Sequence, residues 1–540
     1  MCGIWAYFRK KGHFFIKDEY ANYARFATHL KVRGPDRNCK LKGPDYYFSF
    51  YRLSIHDLSP NGDQPFIYNL KNGSILQLVC NGEIYNYKEI IQKYGFIMKS
   101  NSDCEVICHL IDYYDSNIHK VIAELRGEYA FIGRIQKEND VEIIASRDTY
   151  GVRPLYYAIT DKGIIFSSLL KGIIQTKYKI YHFKPNTYVK INMSKFKEEP
   201  SSKLDHHYVI NPNISIYEKL SYNEDDNKIL MEKYKEVTDA FIDSVKVRLE
   251  GERNIGFLLS GGLDSSLVVA VAKKICKFNH IVTFTIGFDE KATDFDYANQ
   301  VAEYLETDHH NILVTTEDAI DHVKDVVEAI ESYDTTTVRA SIPQYLLAKY
   351  ISEKTNIKII LNGDGSDEVA MGYLYNYYAP NDEIADQDSL DLLSEIHMYD
   401  GLRVDRCLAN FGLEARLPFL DPKYVDTYLS LPVKLRRPTK NKMEKQFLRD
   451  AFNVLYPDLL PKEVLYRRKE AFSDGVSTKI NSWFEQLQET AKIFGHNNDA
   501  EWYQDIFIKV FPLQTHIIPH YWMPKWTNAT DPSARTLNIY

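Results

Sequence analysis

The feature that most constrains this chain is a short apolar run, Ile255–Leu259, that passes directly into Ser260-Gly261-Gly262-Leu263-Asp264-Ser265-Ser266 and a helical pattern, Ser265–Cys276. A continuous apolar strand, a glycine turn and a helix form one βα unit of a buried parallel sheet. Further units follow: strand Ile281–Ile286, helix Asp294–Leu305, helix Glu317–Ile330, helix Ile342–Glu353 and strand Ile357–Leu361. Alternating strands and helices predict an α/β domain that binds ligands at the carboxyl edge of its sheet. The two glycines permit a tight turn and close approach of backbone N–H groups to an anion. Ser265 and Ser266 are placed to cap a helix whose N-terminus favours phosphate. Asp264 would repel bare phosphate, so it predicts a bridging Mg2+.

The loop lacks the Gly-Lys-Ser/Thr ending of the usual P-loop. It resembles the pyrophosphate-binding loop of N-type ATP pyrophosphatases, which adenylate a carboxyl or carbonyl group. That resemblance implies ATP contacts from Leu259, Ser260, Gly261, Gly262, Asp264 and Ser265, with Leu259 and Ile286 beside the adenine. Strand Ile357–Leu361 ends in a second loop, Asn362-Gly363-Asp364-Gly365-Ser366-Asp367-Glu368. Like charges repel in such a turn unless a cation resolves them. Asp367 is the expected second Mg2+ carboxylate facing Asp264, Asn362 and Gly363 are expected at the nucleotide, and Asp364 is expected to hold a substrate amine or handle a proton.

Residues 1 to about 190 have a different rhythm. Short β segments dominate: Gly3–Phe8, Tyr47–Leu53, Leu76–Cys80, Tyr129–Arg134, Val141–Ser146 and Ile164–Ser167, interrupted by helical stretches Glu19–Lys31 and Asp103–Tyr114. This pattern predicts an α+β layered domain. A polar, turn-rich stretch over 193–227 is the expected linker, 228–513 the second domain, and 514–540 an aromatic, Pro-rich tail.

The chain has 540 residues, a net charge of −8 and seven scattered cysteines. The acidic balance argues against a general nucleic-acid binder. Sparse cysteines exclude a secreted disulfide framework and point to a reducing cytoplasm. No stretch approaches the roughly 18 apolar residues of a membrane span, and the first residues are not expected to form a signal peptide.

Cys2 follows the initiator methionine, so removal of Met1 would leave it N-terminal. Its amine, with a pKa of about 7.7–8, would be a built-in base for a thiol of about 8.5. Candidate partners are Arg52-Leu53-Ser54-Ile55-His56, Asn81-Gly82-Glu83 and Asp103. An amide substrate with an amino-acid head needs a cation for its carboxylate, acids for its ammonium and donors for the tetrahedral oxyanion. Arg52 is expected to supply the first and Asp103 and Glu83 the second. The Asn81 side chain and the Gly82 N–H are expected to supply the third.

With these motifs in order, the chain resembles the glutamine-hydrolysing asparagine synthetases. Met1-Cys2-Gly3-Ile4, Arg33-Gly34-Pro35-Asp36, Arg52-Leu53-Ser54-Ile55, Asn81-Gly82-Glu83-Ile84-Tyr85-Asn86 and Ser102-Asp103-Cys104-Glu105 resemble a class II glutamine amidotransferase. The strings Glu331 to Ser341, His397-Met398-Tyr399-Asp400, Gly412 to Asp421, Lys469 to Val476 and Asp531 to Arg535 resemble the synthetase half. The resemblance implies an αββα N-terminal-nucleophile domain over 2–192 and an adenine nucleotide α-hydrolase-like α/β domain with added helices. It implies Cys2 as nucleophile, substrates glutamine, aspartate and ATP, and a β-aspartyl-AMP intermediate that reacts with internally transferred ammonia. Thr336, Thr337 and Arg339 would contact aspartate or phosphate, and Lys469 would neutralise departing pyrophosphate. No nucleic-acid or membrane partner is implied, and a homodimer stays open. Asp364 stands where the family usually carries a glutamate, one methylene longer. A catalytically reduced relative, acting as a glutaminase or a regulatory protein, therefore stays open beside the working synthetase.

Overall fold

The structure is a computed structural model describing residues 1–209, 227–477 and 482–532. Residues 210–226 of the expected linker and 533–540 of the tail lie outside the described residues. The chain divides into two compact units, one of Met1–Asn211, Ala409–Leu413 and Phe507–Pro519, the other of the remainder.

The first unit holds two six-stranded antiparallel sheets. One orders Tyr181–His182, Tyr156–Thr160, Gly163–Ser167, Gly3–Arg9, Tyr46–Arg52 and Arg37–Gly43. The other orders His207–Tyr208, Thr187–Asn192, Val141–Arg147, Gly127–Gln136, Ile75–Ile84 and Phe66–Asn69. The strand period of two sends Ile4, Ala6 and Phe8 to one face, where they pack with Val79, Ala130, Ile132, Ile143 and Ala145 of the second sheet. Trp5 and Tyr7 point the other way, onto Tyr23 of helix Lys17–Ala27, with ring centroids 5.7 and 4.9 Å away. Leu76, Leu78 and Cys80 face away from the first sheet and pack with Ile107, Leu110 and Ile111 of helix Val106–Tyr113. The result is the four-layer αββα arrangement.

Several strands have no counterpart in the sequence reading. Arg37–Gly43 is an edge strand whose pattern, Arg-Asn-Cys-Lys-Leu-Lys-Gly, offers little apolar periodicity because only one side of it is covered. The first residues of the tail belong to this unit. Gln514 accepts from the Ile180 N–H at 3.0 Å and donates to the Tyr178 carbonyl at 3.1 Å, adding a rung beside Tyr181–His182.

The second unit holds a five-stranded parallel sheet, ordered Asp308–Leu313, Val282–Gly287, Asn254–Leu258, Ile357–Leu361 and Glu414–Arg416. The central Asn254–Leu258 and its neighbours Val282–Gly287 and Ile357–Leu361 are the predicted apolar runs. The edge strand Asp308–Leu313 reads Asp-His-His-Asn-Ile-Leu, too polar to announce itself. The expected helix Glu317–Ile330 breaks at His322 into Thr316–Asp321 and Val323–Ile330. Among the described residues no helix is long and apolar enough to cross a membrane.

The layer between the two antiparallel sheets has no disulfide to support it, since none of the seven cysteines forms one. Phe8→Ala, which empties a side chain 1% exposed in that layer, should cost about 3–5 kcal/mol. Equilibrium urea denaturation followed by amide exchange of the strand Gly3–Arg9 measures it.

Candidate active sites

In the second unit, the chain leaves strand Asn254–Leu258 and turns at Gly261, where φ is +70° and a Cβ would lie 2.4 Å from the Tyr297 backbone. Only glycine fits there. The helix Leu263–Ala270 begins after Gly262, which occupies its N-cap. Neither serine caps as expected. Ser265 reaches back one turn instead, its hydroxyl accepting from the Ser260 N–H at 3.2 Å, which closes the loop on itself. Leu259, Ser260, Gly262, Asp264, Ser265, Ile286, Asn362 and Gly363 all line one cavity of about 150 Å³. Gly261 shapes the loop from behind.

The second acidic loop lies against the first. A Cβ on Gly363 would fall 2.7 Å from the Ser265 nitrogen, so the two loops touch backbone to backbone. The Ser366 hydroxyl donates to Asp264 at 2.8 Å. The Asp264 and Asp367 carboxylates converge on a single cation, the ammonium of Lys445, 2.6 Å from each. Lys469 donates to the other oxygen of Asp367 at 2.5 Å. Burial alone would raise the Asp367 pKa, but Lys445 and Lys469 override it and hold the carboxyl well below its usual range. Asp364, pushed up by burial and only partly relieved by Arg403, is paired with that guanidinium at 2.8 Å. Arg403 also donates to Asp400 at 3.0 Å and to Gln344 at 3.0 Å.

Lys445 and Arg403 are functional candidates that sequence reasoning missed. Arg403 sits in a helix, Asp400–Ala409, outside the two loops that carry the motif glycines and acids. Lys445 lies in a polar string with two other cations and shows no periodicity.

A second cavity of about 140 Å³ shares Asp364, Asp367, Glu368, Asp400, Arg403 and Lys469 with the first. Thr336 and Thr337, at the start of helix Thr335–Lys354, line it. Asp334 caps that helix, accepting from the Thr337 N–H at 2.9 Å. The Thr336 hydroxyl is buried without a partner among the described residues, a free donor at the cavity. Arg339, expected at substrate, lines the same cavity. Its guanidinium makes four hydrogen bonds, two to Asp499 and two to Asp531, at 2.7–3.1 Å.

In the first unit, Cys2 directly precedes the strand Gly3–Arg9 and is partly exposed, its thiol 3.6 Å from the Leu53 carbonyl. Leu53, Ser54 and Ile55 form a buried ledge, and the Ser54 N–H donates to Asp36 at 2.8 Å. Arg33 donates to the Cys2 carbonyl at 3.0 Å. Asn81 is fully buried, and both side-chain polar atoms lack a partner among the described residues. An orphaned amide is costly unless a ligand satisfies it, which fits an oxyanion donor. A Cβ on the adjacent Gly82 would lie 2.3 Å from the Glu128 carbonyl, so that position must be glycine. Asp103 accepts from the Ile84 N–H at 2.7 Å and thereby ties its loop to the strand carrying Asn81 and Gly82. Glu83 faces His56 at 3.1 Å. Arg52, expected to meet a carboxylate, is turned to its own loop instead, donating to the His56, Asp57 and Ser59 carbonyls and to Asp63.

An αββα unit led by a partly exposed cysteine and an α/β unit with a glycine loop, joined in one chain, fit an amidotransferase fused to an adenylating synthetase. The Asparagine synthase family matches residues 236–391 and 380–516, and the Glutamine amidotransferase domain family matches residues 1–227. The chain is 38% identical over 574 residues to the asparagine synthetase [glutamine-hydrolyzing] of Rattus norvegicus, covering 100% of this chain and 99% of that protein. It is 38% identical over 579 residues to that of Gallus gallus, with the same coverage. This chain belongs to the glutamine-hydrolysing asparagine synthetase family.

Two expectations follow from this geometry. Gly363→Ala would force the two acidic loops apart and should weaken ATP binding by at least tenfold in calorimetry, leaving glutamine hydrolysis intact. Burial would raise the Glu105 pKa, but His109, Ser100 and the Lys99 and Ser100 N–H groups bring it down from 4.5 to about 2. A carboxyl depressed by folding stabilises the native state above its unfolded pKa, and this stabilisation fades as pH falls from about 4.5 to about 2. Glu105→Gln should therefore flatten the acid limb of the first unit's stability curve in that window, read by urea midpoints at successive pH values.

Proposed function

We propose that the protein makes asparagine from aspartate, with glutamine as nitrogen donor and ATP as activating agent, releasing AMP and pyrophosphate. The observation that carries this reading is the convergence of Asp264 and Asp367 on one cation 2.6 Å from each, at the mouth of a glycine loop and beside an amino-acid-sized second cavity.

In the first unit, the Cys2 thiolate attacks the glutamine side-chain carbonyl. With Met1 removed, the Cys2 amine takes the thiol proton and later returns it to the leaving nitrogen. The Asn81 amide and the Gly82 N–H hold the oxyanion. Collapse releases ammonia and leaves a thioester, which water hydrolyses to glutamate. Asp103 and Glu83 receive the glutamine ammonium.

In the second unit, the β-carboxylate of aspartate attacks the α-phosphorus of ATP, giving β-aspartyl-AMP and pyrophosphate. Leu259 and Ile286 flank the adenine, and Ser260, Gly261, Gly262 and Ser265 present N–H and O–H groups to the phosphates. Lys469 neutralises the departing pyrophosphate. Asp264 and Asp367 fit Mg2+, which binds through one or two carboxylates plus phosphate oxygens, because they already share one cation. When bound, Mg2+ would draw charge from the polyphosphate. Thr336 and Thr337 meet aspartate, and Asp364, its pKa raised, takes a proton from ammonia as that nitrogen displaces AMP. Ammonia transferred inside the protein is kept from protonation and loss. Sparse cysteines, none of them in a disulfide, support a reducing, cytoplasmic setting.

Incubation with ATP, Mg2+, aspartate and amide-labelled glutamine should place label in asparagine with stoichiometric AMP. Glutamate and ammonia without AMP would replace this reading with that of a glutaminase. Cys2→Ala should abolish glutamine use and retain ammonia-driven synthesis, and loss of both activities would sink the two-site scheme.

A further inference from the structure

The C-terminal segment after His520 packs against the second cavity, and it does so through a set of specific polar contacts. The Trp522 N–H donates to Asp334 at 2.8 Å. Asp334 thus caps helix Thr335–Lys354 with one oxygen and ties the tail with the other. Tyr399 donates to the His520 carbonyl at 2.9 Å, and Lys525 pairs with the buried Asp388 at 2.6 Å. The Trp522 ring lies 5.1 Å from that of Tyr373, whose hydroxyl lies 2.8 Å from Glu368 and 3.0 Å from Asp400, with one proton to share between them. Trp522 and Pro532 are themselves walls of the cavity.

The far end of this segment is held by Asp531. Both its oxygens accept from Arg339, at 2.8 and 2.7 Å, in the bidentate fork that gives arginine–carboxylate pairs their directionality. Arg339 is 3% exposed, stacked 4.6 Å over Phe484, and fixed from its other side by Asp499. A cation held this firmly is a rigid post, and Asp531 is the group that seats the tail on it. The neighbouring residue, Pro532, is thereby set at the cavity wall.

We propose that Asp531 is a positioning residue of the synthetase site: through Arg339 it seats the C-terminal strap whose Trp522 and Pro532 close the amino-acid cavity, and so sets the affinity for aspartate. The proposal rests on the reading that the second cavity takes aspartate. Arg339 is itself a wall of that cavity, so the strap is seated on a post that faces the same space.

The test uses the full-length enzyme with ammonia as nitrogen source, measuring pyrophosphate release against aspartate and against ATP. Asp531→Ala should raise KM for aspartate about tenfold while KM for ATP and glutamine hydrolysis each change less than about twofold. Asp531→Glu, which keeps the charge, should recover part of the lost affinity, whereas Asp531→Asn should recover less. Thr336→Val serves as the control for the cavity itself and should also raise the aspartate KM. If Thr336→Val raises it and Asp531→Ala does not, the strap proposal is overturned and the cavity reading survives. If neither raises it, the cavity reading falls as well. Equal shifts in both KM values and kcat, accompanied by a lower Tm, would show general destabilisation and also overturn the proposal.

Discussion

Two carboxylates that leave adjacent parallel strands and face each other cannot stay unpaired in a cleft, and the second unit is organised around that fact. Asp264 and Asp367 are brought together by backbone contact between their loops, which Gly363 permits. The charge that reconciles them comes from Lys445, a residue held with φ of +57° at the start of helix Gln446–Leu455. A non-glycine residue in that region carries strain and persists only where its surroundings dictate it. Here the helix that follows packs on helix Asn227–Val247, with Phe447 4.9 Å from Tyr234, so the helical layer outside the sheet aims one ammonium into the site. Lys469 enters from a different segment and binds the remaining oxygen of Asp367. The two cations thus reach Asp367 from separate segments, one ahead of helix Gln446–Leu455 and one after it.

The first unit answers a different constraint. The proposed nucleophile, Cys2, directly precedes an inner strand of one sheet, and the proposed oxyanion donors lie on a strand of the other. The strand Ile75–Ile84 stays paired along Gly127–Gln136 through Asn81 and Gly82, so the donors are fixed by sheet register rather than by a loose loop. Register leaves the Asn81 side chain buried and, among the described residues, without a hydrogen-bond partner, an arrangement that costs stability unless a substrate oxygen completes it. Glu105 holds the neighbouring turn through Ser100 and the Lys99 and Ser100 N–H groups, and so places Asp103.

Much of this was legible in the sequence where chemistry is local. The two glycine-rich acidic loops follow apolar strands directly, and their order and spacing are visible without a fold. Cys2 gained meaning from strings near it in type but distant along the chain. What stayed hidden depends on tertiary placement. Lys445 sits among other polar residues and is distinguished only by where its helix docks. Arg52 and Arg339 have the right charge to bind a carboxylate, and sequence alone does not tell a substrate carboxylate from Asp63, Asp499 or Asp531. Edge strands such as Arg37–Gly43 and Asp308–Leu313 were missed because one-sided burial erases the apolar signature that marks central strands.

Asp364 shows how the cluster absorbs a change of side-chain length. Glycines flank it on both sides, and Gly365 takes φ of +93°, a conformation that lets the loop advance without steric cost. The shorter carboxylate nevertheless meets a fixed partner, since Arg403 is anchored by Asp400 and Gln344 at the same time. Its position is thus set by the guanidinium as much as by its own stem. Burial pushes the pKa of Asp364 up while Arg403 pulls it down, and Glu368, with no cation among its bonded partners in the described residues, is raised further. Two acids of one loop are therefore separated in acidity by whether a guanidinium reaches them. That division sets one carboxyl beside the Tyr373 hydroxyl and the other beside the Arg403 guanidinium.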